Sequence, residues 1–379
     1  MPAKKSASRG LSEQERNAQA AKPLFPLLNL AAIPPKTAPA QNQSERLHKI
    51  VGQLLLIGFN GKQPGDAGVR ASQNALRSGR ISGVIVQNSN IANETQLRQL
   101  VSSILLSSGD TPPIIAVDQP GGLETALPED KGFVFYASAS AVGSGSSPSE
   151  AQLLYREMAT GLAALGVNLN IGPSEDACRE EGVNLSGTCF GIAPSRIADF
   201  ARAFNFGHHD AGILAALRHV PFRAGLRTSS INESASAAIL HNVVRAETSD
   251  ALVIHVKAVE PLRLQEAALH GKLQKKERRS FGFDGAMIFD LDMGSGGAPL
   301  RFDEAILRSL QSGADMILIR DPSALPPDLP ARMFEAVQKG LKSERLTMAR
   351  IEDAYRHVQR LKERLRVVRP SAKIAGLSR

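Results

Sequence analysis

Eight short, nearly continuous apolar runs, separated by helical patterns, constrain this chain more than any other feature of its sequence. Runs of this kind are typical of parallel strands that are buried on both faces. They span residues 53–59, 82–88, 112–119, 167–173, 213–221, 251–257, 285–290 and 314–321. The alternation predicts an α/β protein folded as a (β/α)8 TIM barrel in a single domain. A doubly wound open sheet is the alternative, but no GxGxxG motif follows the first run.

The two ends of the chain differ in composition from this repeat. Residues 1–45 lack periodic apolar patterning and are rich in Pro and Ala, so we expect a disordered extension. Residues 46–366 carry the predicted barrel, and residues 367–379 form a basic C-terminal tail. The extension holds a short apolar stretch, which makes export to the periplasm or beyond an alternative to the cytoplasmic location that we expect. No apolar stretch approaches the length of a membrane span.

Composition and charge argue against several classes of partner. The formal net charge is +8, but much of the excess lies in the N-terminal segment and in the last helix and tail. Trp is absent and aromatic residues make up 4% of the chain, which argues against a function in which a ligand stacks on aromatic side chains. We therefore expect no nucleic-acid partner. Neither cysteine, Cys178 or Cys189, belongs to a metal-ligand motif, so we expect no metal site. A disulfide and two free thiols fit their spacing equally well.

Ionisable residues end or follow six of the predicted strands. In a barrel, active sites lie at the carboxyl ends of the strands, so these side chains should converge on one rim. A cluster of like charges in one cleft costs energy that structure alone rarely requires, which indicates a function. The six residues are Asp118, Asp176, His219, His255, Asp290 and Asp321.

Motifs along the barrel resemble those of family 3 glycoside hydrolases, especially the single-domain bacterial β-N-acetylhexosaminidases that trim peptidoglycan fragments. The similar segments cover residues 46–366 in the family's order. They are IVGQLLLIGFNG, SGRISGVIVQNSNI, IIAVDQPGG, ALGVNLNIGP, LRHVP, LVIHV, GFDGAMIFDLDMG and SGADMILIRD. The resemblance implies retaining hydrolysis of a glycosidic bond, without a cofactor, on a carbohydrate that contains N-acetylglucosamine.

The family's nucleophile is an Asp that follows strand seven. Alignment from the Gly-Phe-Asp-Gly side places Asp290 at that position and makes it the catalytic residue. Alignment from Met293 instead places Phe289 there and Asp290 one residue later. The resemblance further implies that Asp118, Arg218, His219 and His255 bind substrate. Arg218 stands where the family has Lys.

Other positions depart from the family. Ser229 and Ile231 stand where its acid–base Asp and His belong, and Thr188 replaces its substrate-binding Arg. Three other acids, Glu175, Glu180 and Glu233, are candidates for a relocated general acid, although none has support from its position. Two functions remain open. One is a catalytically degenerate barrel that binds an amino sugar or muropeptide, which we favour; the other is an active retaining β-N-acetylglucosaminidase with Asp290 as nucleophile.

Overall fold

A computed structural model shows a closed barrel of eight parallel strands. The structure describes residues 40–107, 112–174, 187–191, 193–219, 249–257, 283, 285–292, 302–321 and 328–368. The strands are β1 (Leu55–Ile57), β2 (Gly83–Val86), β3 (Ile114–Asp118), β4 (Leu169–Ser174), β5 (Leu214–His219), β6 (Ala251–Lys257), β7 (Ala286–Asp292) and β8 (Met316–Ile319). Each strand pairs with its neighbours in sequence, and β8 pairs with β1. The barrel prediction is confirmed.

Helices surround the barrel, and several begin where the sequence supplies a start signal. Ser147 accepts a hydrogen bond from the Glu150 N–H, and Glu150 bonds back to the Ser147 N–H, which forms a capping box before Pro148. Asn93 caps the helix that follows β2 in the same way, through the Gln96 N–H. In the described residues the helices are α1 (Ala40–Gly52), α2 (Ala67–Arg77), α3 (Glu94–Leu105), α4 (Ala139–Gly145), α5 (Pro148–Ala164), α6 (Pro194–Asp210), α7 (Phe302–Ser312), α8 (Leu329–Lys342) and α9 (Met348–Val368).

The apolar runs form a buried core because each strand contacts the barrel interior on one face and helices on the other. Leu55, Leu56, Val84, Ile85 and Ile317 are fully buried. This is the environment that continuous runs of Leu, Ile and Val predict, since no face of the strand meets water. Six of the strands are shorter than the predicted runs, whereas β6 matches its run and β7 continues two residues past its run.

A buried Asn or Asp precedes three of the strands at the amino-terminal face of the barrel and bonds to the strand before it. Asn168, Asp250 and Asp315 directly precede β4, β6 and β8, and each is buried. The side-chain oxygen of each accepts the N–H of a residue in the preceding strand, at 2.8–3.0 Å. The backbone N–H of each also donates to the carbonyl of the same residue. These double contacts fix the register between neighbouring strands at the amino-terminal face, which we call the barrel floor.

Helix α9 closes this face with basic side chains. Arg350 Nη2 lies 3.3 Å from Asp315 Oδ1, and Arg364 Nη1 lies 3.3 Å from Asp250 Oδ1. Lys362 Nζ, on a nearly buried side chain, donates to Gln53 Oε1 at 2.7 Å. The basic pattern of the last helix thus neutralises buried carboxylates, which explains part of the positive charge without an anionic partner.

The chain ends differ from their predicted boundaries. Helix α1 begins at Ala40, inside the segment 1–45 that we expected to be disordered, while residues 1–39 lie outside the described residues. Helix α9 continues to Val368, two residues past the predicted end of the barrel. Cys189 is disulfide-bonded, and Cys178 lies outside the described residues. None of the described helices combines the length and apolarity needed to cross a membrane.

Asp250 offers a test of the barrel floor. Asp250→Ala should lower the free energy of unfolding by about 1–3 kcal/mol, because the buried Ala215 N–H loses its side-chain acceptor. His209 and Arg364 lose the same partner, but their side chains are partly exposed and can turn to water, so they add little. Asp250→Asn keeps an oxygen for Ala215 and should cost less. Urea unfolding measures both. Glu352→Ala, at the exposed pair between α9 and Arg46, is the control and should cost at most about 1 kcal/mol; equal losses for all three variants would contradict this role.

Candidate functional site

The carboxyl ends of the strands bring charged side chains together at the mouth of the barrel. Asp118 ends β3, Arg218 lies near the end of β5, and His255 and Asp290 lie in β6 and β7. His255 and Asp290 are paired residues in the β6–β7 register, so their side chains point to the same side of the sheet. The His255 Nδ1 lies 3.5 Å from Asp290 Oδ2.

Arg320 crosses this mouth and joins two of the carboxylates. It directly follows β8, and its Nε donates to Asp290 Oδ2 at 2.8 Å. Its Nη1 and Nη2 donate to the two carboxylate oxygens of Asp118. Strands β8 and β3 are not neighbours in the barrel. The guanidinium therefore lies across the opening, between Asp118 and Asp290.

The backbone of Arg320 is held by the neighbouring strands. Its carbonyl accepts a hydrogen bond from Gln87 Nε2 at 2.8 Å. A Cβ at Gly58 would lie 1.8 Å from the same carbonyl oxygen, so only glycine allows β1 to approach so closely. Arg320 is thus a fixed part of the rim, since its backbone and its side chain are both bonded.

Arg218 extends the network to the loop after β3. Its Nη2 lies 3.1 Å from Asp118 Oδ1, and its Nη1 lies 3.8 Å from Glu124 Oε2. The Arg218 Nε is buried and has no hydrogen-bond partner among the described residues. Asp118 therefore receives two guanidinium groups, and the side chain of Arg218 is 24% exposed at the mouth.

The loop after β3 holds Asp118 and Glu124 in place through its own backbone. The Asp118 carbonyl accepts the Ala126 N–H at 2.9 Å, and the Gly122 N–H donates to the Tyr136 carbonyl at 2.9 Å. Gly121 adopts φ +85°, and a Cβ there would lie 2.3 Å from the Ala137 carbonyl oxygen. The Gly-Gly pair thus allows the tight return of the chain beside the site. Glu124 lies in this loop with 52% of its side chain exposed.

Asp290 is the most buried of the rim carboxylates, with 4% of its surface exposed. Burial alone would raise the pKa of Asp290, but the hydrogen bond to His255 and the charge of Arg320 outweigh burial and hold the pKa below its usual range. The 2.8 Å bond from Arg320 is the shorter of the two contacts. Asp290 is therefore an ionised carboxylate whose charge is largely neutralised by an arginine.

The structure describes only part of the predicted site. His219 is the last residue of β5, but its side chain lies outside the described residues. Asp321 follows Arg320 and is exposed. Asp176, Glu175, Glu180 and the segment 220–248, which includes Glu233, Ser229 and Ile231, also lie outside. The assignments of Asp290 as nucleophile and of Asp118, Arg218, His219 and His255 as substrate-binding residues stay predictions.

Sequence reasoning missed Arg320 and Glu124. Arg320 lies between the apolar run of β8 and Asp321, and the carboxylate drew attention as the residue at the strand end. A basic residue at the end of a barrel strand was the available signal, because every strand end of this kind faces the mouth. Glu124 had no such signal. In the described part of the chain, no group of three or more His, Cys, Asp or Glu residues is arranged to hold a metal ion.

Comparisons with known sequences point to one family. A family model described as the glycosyl hydrolase family 3 N-terminal domain matches residues 46–361. A β-hexosaminidase of Xanthomonas axonopodis pv. citri (strain 306) is 26% identical over 309 residues, which are 75% of this chain and 87% of the relative. A β-hexosaminidase of Pseudomonas aeruginosa (strain LESB58) is 30% identical over 263 residues, which are 64% of this chain and 76% of the relative.

Solved structures share the barrel. A family 3 β-N-acetylglucosaminidase from Paenibacillus sp. str. FPU-7 has a TM-score of 0.68 and 22% identity over 88% of this chain, which spans 65% of that protein. A β-N-acetylhexosaminidase from Beutenbergia cavernae DSM 12333 has a TM-score of 0.64 and 20% identity, over 84% of this chain and 98% of that one. At these identities the likeness concerns the fold.

The electrostatic role of Arg320 is testable on the isolated protein. Arg320→Met removes the charge and should raise the pKa of Asp290, because burial then acts with less opposition. Carboxyl carbon NMR titration measures this pKa, and Asp290→Asn identifies the signal. Arg308→Met, which removes an arginine paired with Glu304 on helix α7, is the matched control. An unchanged pKa of Asp290 in Arg320→Met would show that His255 alone keeps this carboxylate ionised.

Proposed function

Because the chain belongs to glycosyl hydrolase family 3 and is related to bacterial β-hexosaminidases, we propose that its barrel mouth binds a glycan containing N-acetylglucosamine but hydrolyses it poorly. The ligand we favour is an amino sugar or a muropeptide. One observation carries the proposal: the guanidinium of Arg320 lies between Asp118 and Asp290 and bonds to both.

Binding is supported by the polar groups that the rim holds in fixed positions. Carboxylate oxygens accept hydrogen bonds from sugar hydroxyls, and Asp118 presents two oxygens at the mouth. The exposed part of the Arg218 guanidinium is a donor for a carbonyl or hydroxyl oxygen of the ligand. Because the ion pairs already hold these side chains, they lose little conformational freedom when a sugar binds.

Weak hydrolysis follows from the state of Asp290. In the retaining reaction a carboxylate oxygen attacks the anomeric carbon while the bond to the leaving oxygen breaks. The Oδ2 of Asp290 already accepts a hydrogen bond from Arg320, which withdraws charge from the carboxylate and weakens it as a nucleophile. The departures at Ser229, Ile231 and Thr188 act in the same direction, since they remove the groups that the family uses to protonate the leaving group and to bind substrate.

The alternative is an active retaining β-N-acetylglucosaminidase. One observation favours it: Asp290 is ionised although it is nearly buried, which is what a nucleophile requires at neutral pH. In that case a carboxyl group must protonate the leaving oxygen, and the same group in its ionised form must take a proton from the attacking water. Glu124 is one further carboxyl group beside the mouth in the described residues, and its Oε2 lies 3.8 Å from Arg218 Nη1.

An aryl β-N-acetylglucosaminide separates the two functions, because its phenolate leaves with the bonding electrons and needs little protonation. We expect the wild-type protein to bind N-acetylglucosamine in calorimetry and to release at most about one equivalent of phenol, slowly. At pH 8, where Asp290 is ionised, Arg320→Met should release the phenol faster, because the carboxylate is no longer paired. Asp290→Asn in the Arg320→Met background should abolish the release.

Asp199→Asn, at an exposed pair with Arg202 on helix α6, is the control for both measurements and should match the wild type. Rapid steady-state hydrolysis of an unactivated disaccharide by the wild type would establish the active enzyme and contradict the degenerate site. Absence of N-acetylglucosamine binding, together with unchanged phenol release in Arg320→Met, would contradict both functions of this rim.

A further inference from the structure

A buried polar cluster lies directly behind Asp118, between the barrel and helix α6. Asn170 of β4 and His208 of α6 are both fully buried, and Gln119, the residue after Asp118, is 2% exposed. Buried polar groups of this kind must find partners within the protein. None of these three residues touches the charged rim through its own side chain in the contacts of the described residues, yet they adjoin it through the backbone of Gln119.

Both ends of the Asn170 amide form hydrogen bonds with the backbone of Gln119, and we call this pair of bonds the grip. Its Oδ1 accepts the Gln119 N–H at 3.0 Å, and its Nδ2 donates to the Gln119 carbonyl at 2.9 Å. The Gln119 N–H also reaches the Ile171 carbonyl at 3.2 Å, so the β3–β4 ladder continues one residue past Asp118. The orientation of the Asn170 amide therefore fixes the peptide that carries Asp118 into the mouth.

His208 determines which way this amide points. Its Nδ1 lies 2.7 Å from the Phe204 carbonyl, which can only accept, so Nδ1 carries the proton. Its Nε2, which is then an acceptor, lies 2.8 Å from Asn170 Nδ2. A reversed Asn170 amide would set its oxygen against a second acceptor and its NH₂ against the Gln119 N–H. One tautomer of a neutral His208 is thus compatible with the grip on Gln119.

The surroundings keep His208 neutral. Burial lowers the pKa of His208 to about 4, the bond to the Phe204 carbonyl raises it in part, and the charges of His209 and Asp250 act in opposite directions. Tyr155 of α5 faces the imidazole at 6.4 Å between ring centroids, and the Phe204 ring lies at 4.1 Å. A protonated His208 would point an Nε2–H at the Asn170 NH₂ and would break the grip.

We propose that His208 is a positioning residue for Asp118: through Asn170 it orients the Gln119 peptide and thereby the carboxylate that meets the sugar. The proposal rests on the proposed sugar binding, but the grip itself exists without ligand. His208 does not contact the rim, so it acts through Asn170 alone. Loss of the acceptor at Nε2 should release the Asn170 amide and let Asp118 leave its position between Arg218 and Arg320.

Two substitutions separate positioning from packing. His208→Gln keeps an acceptor that can reach Asn170, whereas His208→Leu fills the space without one. We expect His208→Leu to weaken N-acetylglucosamine binding on the order of tenfold, because a displaced Asp118 loses a hydrogen bond to the sugar. His208→Gln should stay within about threefold of the wild type.

A second measurement needs neither ligand nor variant. The protection factor of the Gln119 amide in the wild type should fall relative to those of neighbouring strand amides as pH falls from about 6.5 to about 4, where His208 takes up a proton. If no variant binds the sugar but this loss of protection occurs, the proposed function fails and the positioning role stands. If His208→Leu keeps both the sugar affinity and the Gln119 protection and lowers only the melting temperature, His208 is a packing residue and the inference is overturned.

Discussion

The ion pairs of Arg320 are the interaction on which the mouth of this barrel depends. Asp290 is nearly buried, and an isolated carboxylate there would be expensive, so a cation must accompany it. Arg320 supplies that cation and also binds Asp118 on the opposite side of the opening. The same contact that makes the ionised Asp290 tolerable occupies one of its oxygens. In the proposed degenerate site, the contact that stabilises the rim therefore also weakens Asp290 as a nucleophile.

Similar charged residues have different roles at the two faces of the barrel. At the floor, Asp250 and Asp315 bind backbone N–H groups of neighbouring strands and arginines of α9, so every charge serves the register and closure of the barrel. At the mouth, Asp118 and Asp290 bind arginines but no backbone N–H in the described contacts. Their side chains lie at the mouth of the barrel, where Arg320 joins them. In this fold the amino-terminal face generally serves stability, whereas the residues at the carboxyl ends of the strands form the functional site.

Sequence patterns predicted the barrel well because its strands are specified by local apolar runs, and each of the eight runs overlaps a strand of the structure. Asp118 and Asp290 could also be identified from the sequence, since each lies at the end of such a run. Arg320 was not predicted, because its role depends on β3 and β8 meeting across the mouth, a contact between distant parts of the sequence. The His208–Asn170 pair was missed for the same reason: a His in a helix and an Asn in a strand carry no local sign that they touch. The start of helix α1 was not predicted, because its first residues contain few apolar side chains and so resemble a disordered extension.

The most direct measurement is a crystal structure of the protein with N-acetylglucosamine bound. The account predicts that the sugar contacts Asp118 and Arg218 while the Arg320 Nε keeps its bond to Asp290 Oδ2, which leaves the anomeric carbon out of reach of this carboxylate. A structure in which Arg320 turns away and Asp290 comes within about 3–3.5 Å of the anomeric carbon, the distance for attack, would contradict it. The barrel would then be a working glycosidase whose arginine moves aside when substrate binds.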